Sequence, residues 1–338
     1  MKNIILLVVC LISFCELMQA QSLQFAVVRP NGTTYICPTL DSAYNLSLDG
    51  DFLYLPGGSY GLTQPITKSI HIYGAGIHSD SSAVTTRTIL DNISLVEGAS
   101  NGSITGCYFI TGGYNVLVQG LVNNYSITYC FLAGGIKFNV ASNNFIITSN
   151  IVGSFGDGCL YGGSWSIQLA GQGHLISNNF IKASISSNGG NVYRNNIISY
   201  CSPYCSTLNC SNEEFDNNII ACAGSGVNNS FFHNNIGWTN GLDSHGNQGY
   251  NNYTISGPID SLFINYTAGW DEGNIHLVPN SPYMDAGTDG TELGIYGGMF
   301  PTSEGWVPKN PHIYFKDIDQ LTGPDGKLHI QVGVRTTN

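Results

Sequence analysis

Apolar and polar positions between residues 121 and 253 follow a repeating pattern, and an Asn-Asn pair marks each repeat. The pairs are Asn123-Asn124, Asn143-Asn144, Asn178-Asn179, Asn195-Asn196, Asn217-Asn218, Asn234-Asn235 and Asn251-Asn252. Their first members lie 20, 35, 17, 22, 17 and 17 residues apart. A recurring period of this size marks one structural unit repeated along a solenoid. The interval of 35 is close to twice 17, so one rung between Asn143 and Asn178 is expected to lack the pair.

The surroundings of each pair repeat as well. An apolar or aromatic residue follows it, as at Phe145, Phe180, Ile197, Ile219 and Ile236. Two positions before it stand mostly apolar residues, among them Ile176, Tyr193, Phe215 and Phe232. Short apolar runs broken by Asn, Gly and Ser read as strands separated by turns. They are too short for a helical solenoid, which needs ten or more residues at a 3.6 period. The architecture that fits is all-β, a right-handed parallel β-helix whose rungs stack at about 4.8 Å. Asn suits a tight corner because it tolerates the left-handed backbone, and its amide can bond the amide of the next rung. Asn143, Asn178, Asn195, Asn217 and Asn234 are therefore expected to stack at one corner.

Alternation along a strand also places the residue just before each pair on the outer surface. On successive rungs this gives a column of Arg194, Asp216, His233 and Tyr250. Asp216 would sit between two potential cations and could orient His233 for weak acid–base chemistry. Two loops are expected to roof the column, residues 201–214 and 238–249. The second brings Trp238, Asp243, His245 and Gln248. A flat apolar ring beside acids and amides is a pattern suited to sugar recognition. A solvated ladder of polar residues, adding little stability, is the competing reading of the column.

The flanks read differently. Residues 1–20 carry one Lys and an apolar run from Ile4 to Phe14, as a secretory signal does, and leave Gln21 first after cleavage. Neither Cys10 nor Cys15 has the small residue before it that a lipid anchor needs. Residues 21–50 form an N-terminal cap with a short helix at 39–48, capped by Thr39 and presenting Leu40, Ala43, Tyr44 and Leu48 on one face. Residues 51–300 form the β-helix. In the extension 301–338, two strands at 312–318 and 327–335 flank a Gly-Pro-Asp-Gly turn, and this hairpin is expected to pack on the end of the solenoid. A docking tail for a partner or an export system is the alternative.

Charge and cysteine content narrow the chemistry. Charged residues are 10% of the chain and its formal net charge is -11, which argues against nucleic-acid binding. Hydrophobic residues at 42% argue against disorder. Eight cysteines lie beyond the signal, and export permits disulfides, so at least one is expected among Cys201, Cys205, Cys210 and Cys222, with the remaining thiols buried as small apolar residues. No metal or cofactor is called for. Asp285, Asp289 and Glu292 share a glycine-rich loop and are weak candidates for calcium, without EF-hand spacing.

Leu53-Tyr54-Leu55-Pro56-Gly57-Gly58-Ser59-Tyr60 with Ile70-His71-Ile72-Tyr73-Gly74-Ala75-Gly76 resembles the opening of parallel β-helix proteins of the pectate-lyase-like superfamily. Ser281-Pro282-Tyr283-Met284-Asp285-Ala286-Gly287 with Leu293-Gly294-Ile295-Tyr296-Gly297-Gly298 resembles the segment that closes many secreted bacterial members. The resemblance spans roughly 51–298 and implies the fold. It does not choose among lyases, hydrolases, epimerases, esterases and adhesins. Calcium-dependent lyases pair a carboxylate cluster with a basic residue, and here the repeats hold only Lys137, Lys182 and Arg194, with no Asp-rich cluster beside them. Polygalacturonase-like hydrolases carry Asp-Asp and Arg-x-Lys elements that are absent, and His245-Gly246 stands alone. The expectation is an exported or surface protein that binds polysaccharide or mediates adhesion. A lyase or glycoside hydrolase with an unfamiliar site, or a purely structural solenoid, are the alternatives.

Overall fold

The computed structural model describes residues 24–78, 84–110, 113–153, 166–199, 208–221, 226–237, 245–255, 257–266, 274–308, 312–319 and 326–335. The chain is a parallel β-helix. Each rung contributes a short strand to each of up to three sheets, of 12, 10 and 6 strands. In the repeat core, one rung runs Leu175–Ser177 in the first sheet, Phe180–Lys182 in the second and Ser184–Asn188 in the third. The next begins with Val192–Arg194, directly beside Leu175–Ser177.

The middle residue of each first-sheet strand points inward, as alternation requires. Ile176, Tyr193, Phe215 and Phe232 are fully buried. Their rings stack through the interior, with centroids 4.8 Å apart for Tyr193–Phe215 and 4.7 Å for Phe215–Phe232. These side chains join one core with Ile181 and Ile198 of the second sheet and Ile185 and Leu208 of the third.

The Asn pairs divide between two corners. After each first-sheet strand the backbone turns into the second sheet through a left-handed residue, with φ of 54–57° at Asn178, Asn195, Asn217 and Asn234. The residue that follows is wholly buried and forms a ladder. Asn150 bonds Asn179, Asn179 bonds Asn196, Asn196 bonds Asn218 and Asn218 bonds Asn235, by backbone N–H and side-chain amide alike. Asn143-Asn144 is not part of it, which corrects the expected alignment. That pair precedes the strand Ile146–Thr148, and Asn144, with φ 59°, stacks on Asn124. The position equivalent to Asn178 is Ser149, φ 55°. One corner in this interval does lack the pair, Ser149-Asn150, and the rung that follows it is a single long one, since Asn150 and Asn179 are 29 residues apart and directly bonded.

The corner that leads into the first sheet has a second ladder, of mixed composition. The Phe145 N–H donates to His174 Nδ1, the His174 N–H to Asn191, the Asn191 N–H to Glu213, the Glu213 N–H to Ser230, and the Ser230 N–H to Asn247. Any side-chain acceptor of suitable reach satisfies the buried amide of the rung before.

At the N-terminal end, Phe25–Val28 pairs antiparallel with Thr34–Cys37 and with Phe52–Tyr54, closing the first sheet. Thr39 caps the helix Leu40–Leu46 through a reciprocal bond with Ser42. Leu40, Ala43 and Tyr44 are buried as expected, whereas Leu48 lies past the helix and is exposed. At the other end, the last parallel strands are Gln248–Tyr250 and Tyr253–Thr254. The chain then runs back along the outside. Ile259, Phe263, Ile275, Leu293, Ile295 and Trp306 cover Ile151, Phe180, Ile197, Ile219 and Ile236 on the outer face of the second sheet. The same return segment binds the outward Asn column: Asn178 Nδ2 donates to the Ile295 and Gly297 carbonyls, Asn217 exchanges bonds with Thr288, and Asn234 donates to Ala286 O. The outer face of the second sheet is thus occupied.

The C-terminal strands His312–Ile318 and Ile330–Arg335 pair with each other. Ile318, Ile330, Val332 and Val334 stay exposed, where packing on the solenoid was expected.

Candidate functional site

The column expected from alternation is present on the outer face of the first sheet. Arg194 is the register partner of Asp216, Asp216 of His233, and His233 of Tyr250. Stacking at the inter-strand spacing brings these side chains into contact. Arg194 places Nη2 at 2.7 Å and Nε at 3.3 Å from Asp216 Oδ2. His233 Nδ1 lies 3.1 Å from the other oxygen, Oδ1. The His233 and Tyr250 rings are 4.4 Å apart. Asp216 is therefore engaged on both oxygens, and its side chain is only 6% exposed, against 47% for Arg194.

Glu214 belongs to the same cluster. It lies two residues before Asp216 on the strand Glu214–Asp216, so it faces the same way, 3.7 Å from Arg194 Nη2. Partial burial and the neighbouring Asp216 carboxyl push its pKa up, and Arg194 and His233 pull it back. Period-2 alternation counted from Asp216 would have identified it in the sequence. Ligand atoms of Glu214, Asp216 and His233 lie within 4.8 Å of one another, and among the described residues this is the one such group able to share a metal ion. A cation there would compete with the Arg194 guanidinium for Asp216 Oδ2. Chemically, the cluster offers a two-pronged donor, a half-exposed carboxyl, an imidazole edge and, in Tyr250 and Phe231, two exposed rings.

Other candidates fall elsewhere. Trp238 and Asp243 lie outside the described residues, as do residues 201–207 of the loop 201–214. His245 sits at the corner before the strand Gln248–Tyr250, with φ 59°, and its carbonyl accepts from Asn229. It does not join the column. The return segment runs alongside the column, bonding Asn217 and Asn234 next to Asp216 and His233. The weak calcium candidates do not converge. Asp289 bonds Thr291 at 2.6 Å, Glu292 lies 3.6 Å from His276, and Asp285 is exposed.

Of the disulfide candidates, Cys201, Cys205 and Cys222 lie outside the described residues. Cys210 is a free, buried thiol, so the expected disulfide would have to lie among the other three. It faces the core, where Ser187 Oγ donates to its sulfur at 3.4 Å, and burial pushes its pKa up to about 12. Cys37, Cys107 and Cys130 are likewise free and buried.

No protein-family model matches the chain, and no curated protein matches it in sequence.

Proposed function

We propose that this is an exported or cell-surface member of the pectate-lyase-like β-helix proteins, and that it binds polysaccharide through the outer face of its first sheet. The observation that carries this reading is the column Arg194–Asp216–His233–Tyr250. A hydrogen-bonded row of polar groups ends in an aromatic ring that is 58% exposed. Sugar recognition combines these two elements, directional polar groups and an apolar ring surface. The absence of a matching lyase or polygalacturonase motif in the sequence favours binding or adhesion over turnover.

A glycoside hydrolase is the second reading, favoured by the raised pKa of Glu214 beside a second carboxyl, since such enzymes work with two carboxyl groups. The engagement of both Asp216 oxygens weighs against it, because a base or nucleophile needs a free oxygen facing the substrate.

A glycan array and a reducing-end release assay on the purified mature protein test both. Binding with no release, weakened about tenfold or more by His233→Ala and by Tyr250→Ala in proteins of unchanged melting temperature, is the expected result. Release abolished by Glu214→Gln would replace it with the hydrolase. Binding to no glycan would leave a structural solenoid.

A further inference from the structure

The charged column is one end of a longer row. The same register position runs through ten parallel strands of the first sheet, from Phe52–Tyr54 to Gln248–Tyr250. Tyr54 and Tyr73 begin it, with rings stacked 5.2 Å apart. Hydroxyls continue it: Thr105 and Thr128 are bonded at 2.8 Å, and Ser177 donates to Thr148 at 3.0 Å. Arg194, Asp216, His233 and Tyr250 complete it. Every member is a hydroxyl, a charge or a ring, and none is aliphatic.

Three features point to a ligand. Within each hydroxyl pair one O–H is spent on its neighbour, leaving the other free to reach outward. Beside the hydroxyls the parallel outer column turns aliphatic at Ile146, Leu175 and Val192, with Ile146 exposed, so a polar strip runs next to an apolar one. A pyranose has the same division, with apolar C–H faces and polar hydroxyl edges. Among the described residues, the rings at both ends of the row have one face unstacked: no strand follows Gln248–Tyr250 in the sheet, and the register partner of Tyr54 on its outer side is only Ala26.

We infer that this row is a single extended binding groove for a linear neutral polysaccharide lying along the solenoid axis, with a second aromatic subsite at Tyr54 and Tyr73. The inference rests on the polysaccharide-binding reading above and extends it. The nine steps between the end strands correspond to about 43 Å, a length that suits a polymer rather than a disaccharide. Arg194 is outnumbered by Glu214 and Asp216 at the charged end, and the chain carries a net charge of -11, so a polyanion is disfavoured.

The test uses length-fractionated glucan, xylan, galactan and mannan, with polygalacturonate as the anionic control, against the full mature chain. Long fractions of a neutral glycan are expected to bind at least about tenfold tighter than short ones. The double substitution Tyr54→Ala with Tyr73→Ala should remove that advantage and leave short fragments unaffected, while Tyr250→Ala weakens both. Thermal unfolding checks that each variant is folded, and Tyr54→Phe with Tyr73→Phe should retain most of the length advantage. If Tyr250→Ala weakens binding but the Tyr54 and Tyr73 substitutions do not, the extended groove is wrong and the local site stands. Binding to polygalacturonate alone overturns the neutral ligand class. Binding to none of the fractions overturns both proposals.

Discussion

Asn178 and Asn179 are adjacent in the chain and do opposite work. Asn178 takes a left-handed backbone and donates outward to the Ile295 and Gly297 carbonyls of the return segment. Asn179 turns inward, where its amide nitrogen bonds the Ile147 carbonyl and the Asn196 side chain. The pair recurs because the corner makes two separate demands, a strained backbone and a buried amide to satisfy.

The inward member should matter most to stability. Asn218→Ala strips partners from the Asn196 N–H and the Tyr193 carbonyl, both buried. An expected loss of about 3 kcal/mol follows from leaving two buried polar groups unpaired, measurable by denaturant titration.

The outward member should act through the return segment. Asn217→Ala loses two bonds with Thr288 and forces alanine into φ 57°. A cost of about 2 kcal/mol is expected. Limited proteolysis should cut residues 286–302 faster than in the parent, and an unchanged cutting rate would count against the role given to Asn217.

Acid stability should depend on His174. Burial pushes its pKa down to about 4, with the Ala170 backbone opposing, and its Nδ1 accepts from the Phe145 N–H, so the ring must be neutral. Its folded pKa lies below its ordinary value of 6.5, so the unfolded chain binds more protons between these two values. Stability therefore falls as pH drops from 6.5 to about 4, by on the order of 3 kcal/mol for this group. His174→Asn keeps an acceptor like that of Asn191 in the next rung, and should flatten this slope in chemical denaturation across the window.

Glu213 should show the reverse sign. Burial raises its pKa, so its contribution to stability is complete below pH 4.5 and declines as pH rises through the folded value. Relative to the parent, Glu213→Gln should gain stability at neutral pH and lose that gain in acid. A constant difference at all pH values would contradict this.

Cys210 should be inert in the folded protein. Its thiol is buried and its pKa is pushed up to about 12, leaving little thiolate at neutral pH. Iodoacetamide labelling read by mass spectrometry should modify it only after unfolding, without reductant. Failure to label even then would place it in a disulfide.

The chain by itself determined the rung and its alternation. Asn178 to Asn234 read as a stack, and Arg194, Asp216, His233 and Tyr250 read as an outward column, because left-handed corners and period-2 strands are local demands recorded residue by residue. The same local demand arises at two corners, so Asn143 carried the same mark as Asn178 while sitting at a different turn. Telling them apart needs the length of the long rung, which only the pairing of Asn150 with Asn179 fixes. Two further features are long-range. Residues 286–302 cover the outward Asn column, and the row runs on to Tyr54. These were decided by tertiary packing, because they join residues that no periodicity in the chain connects.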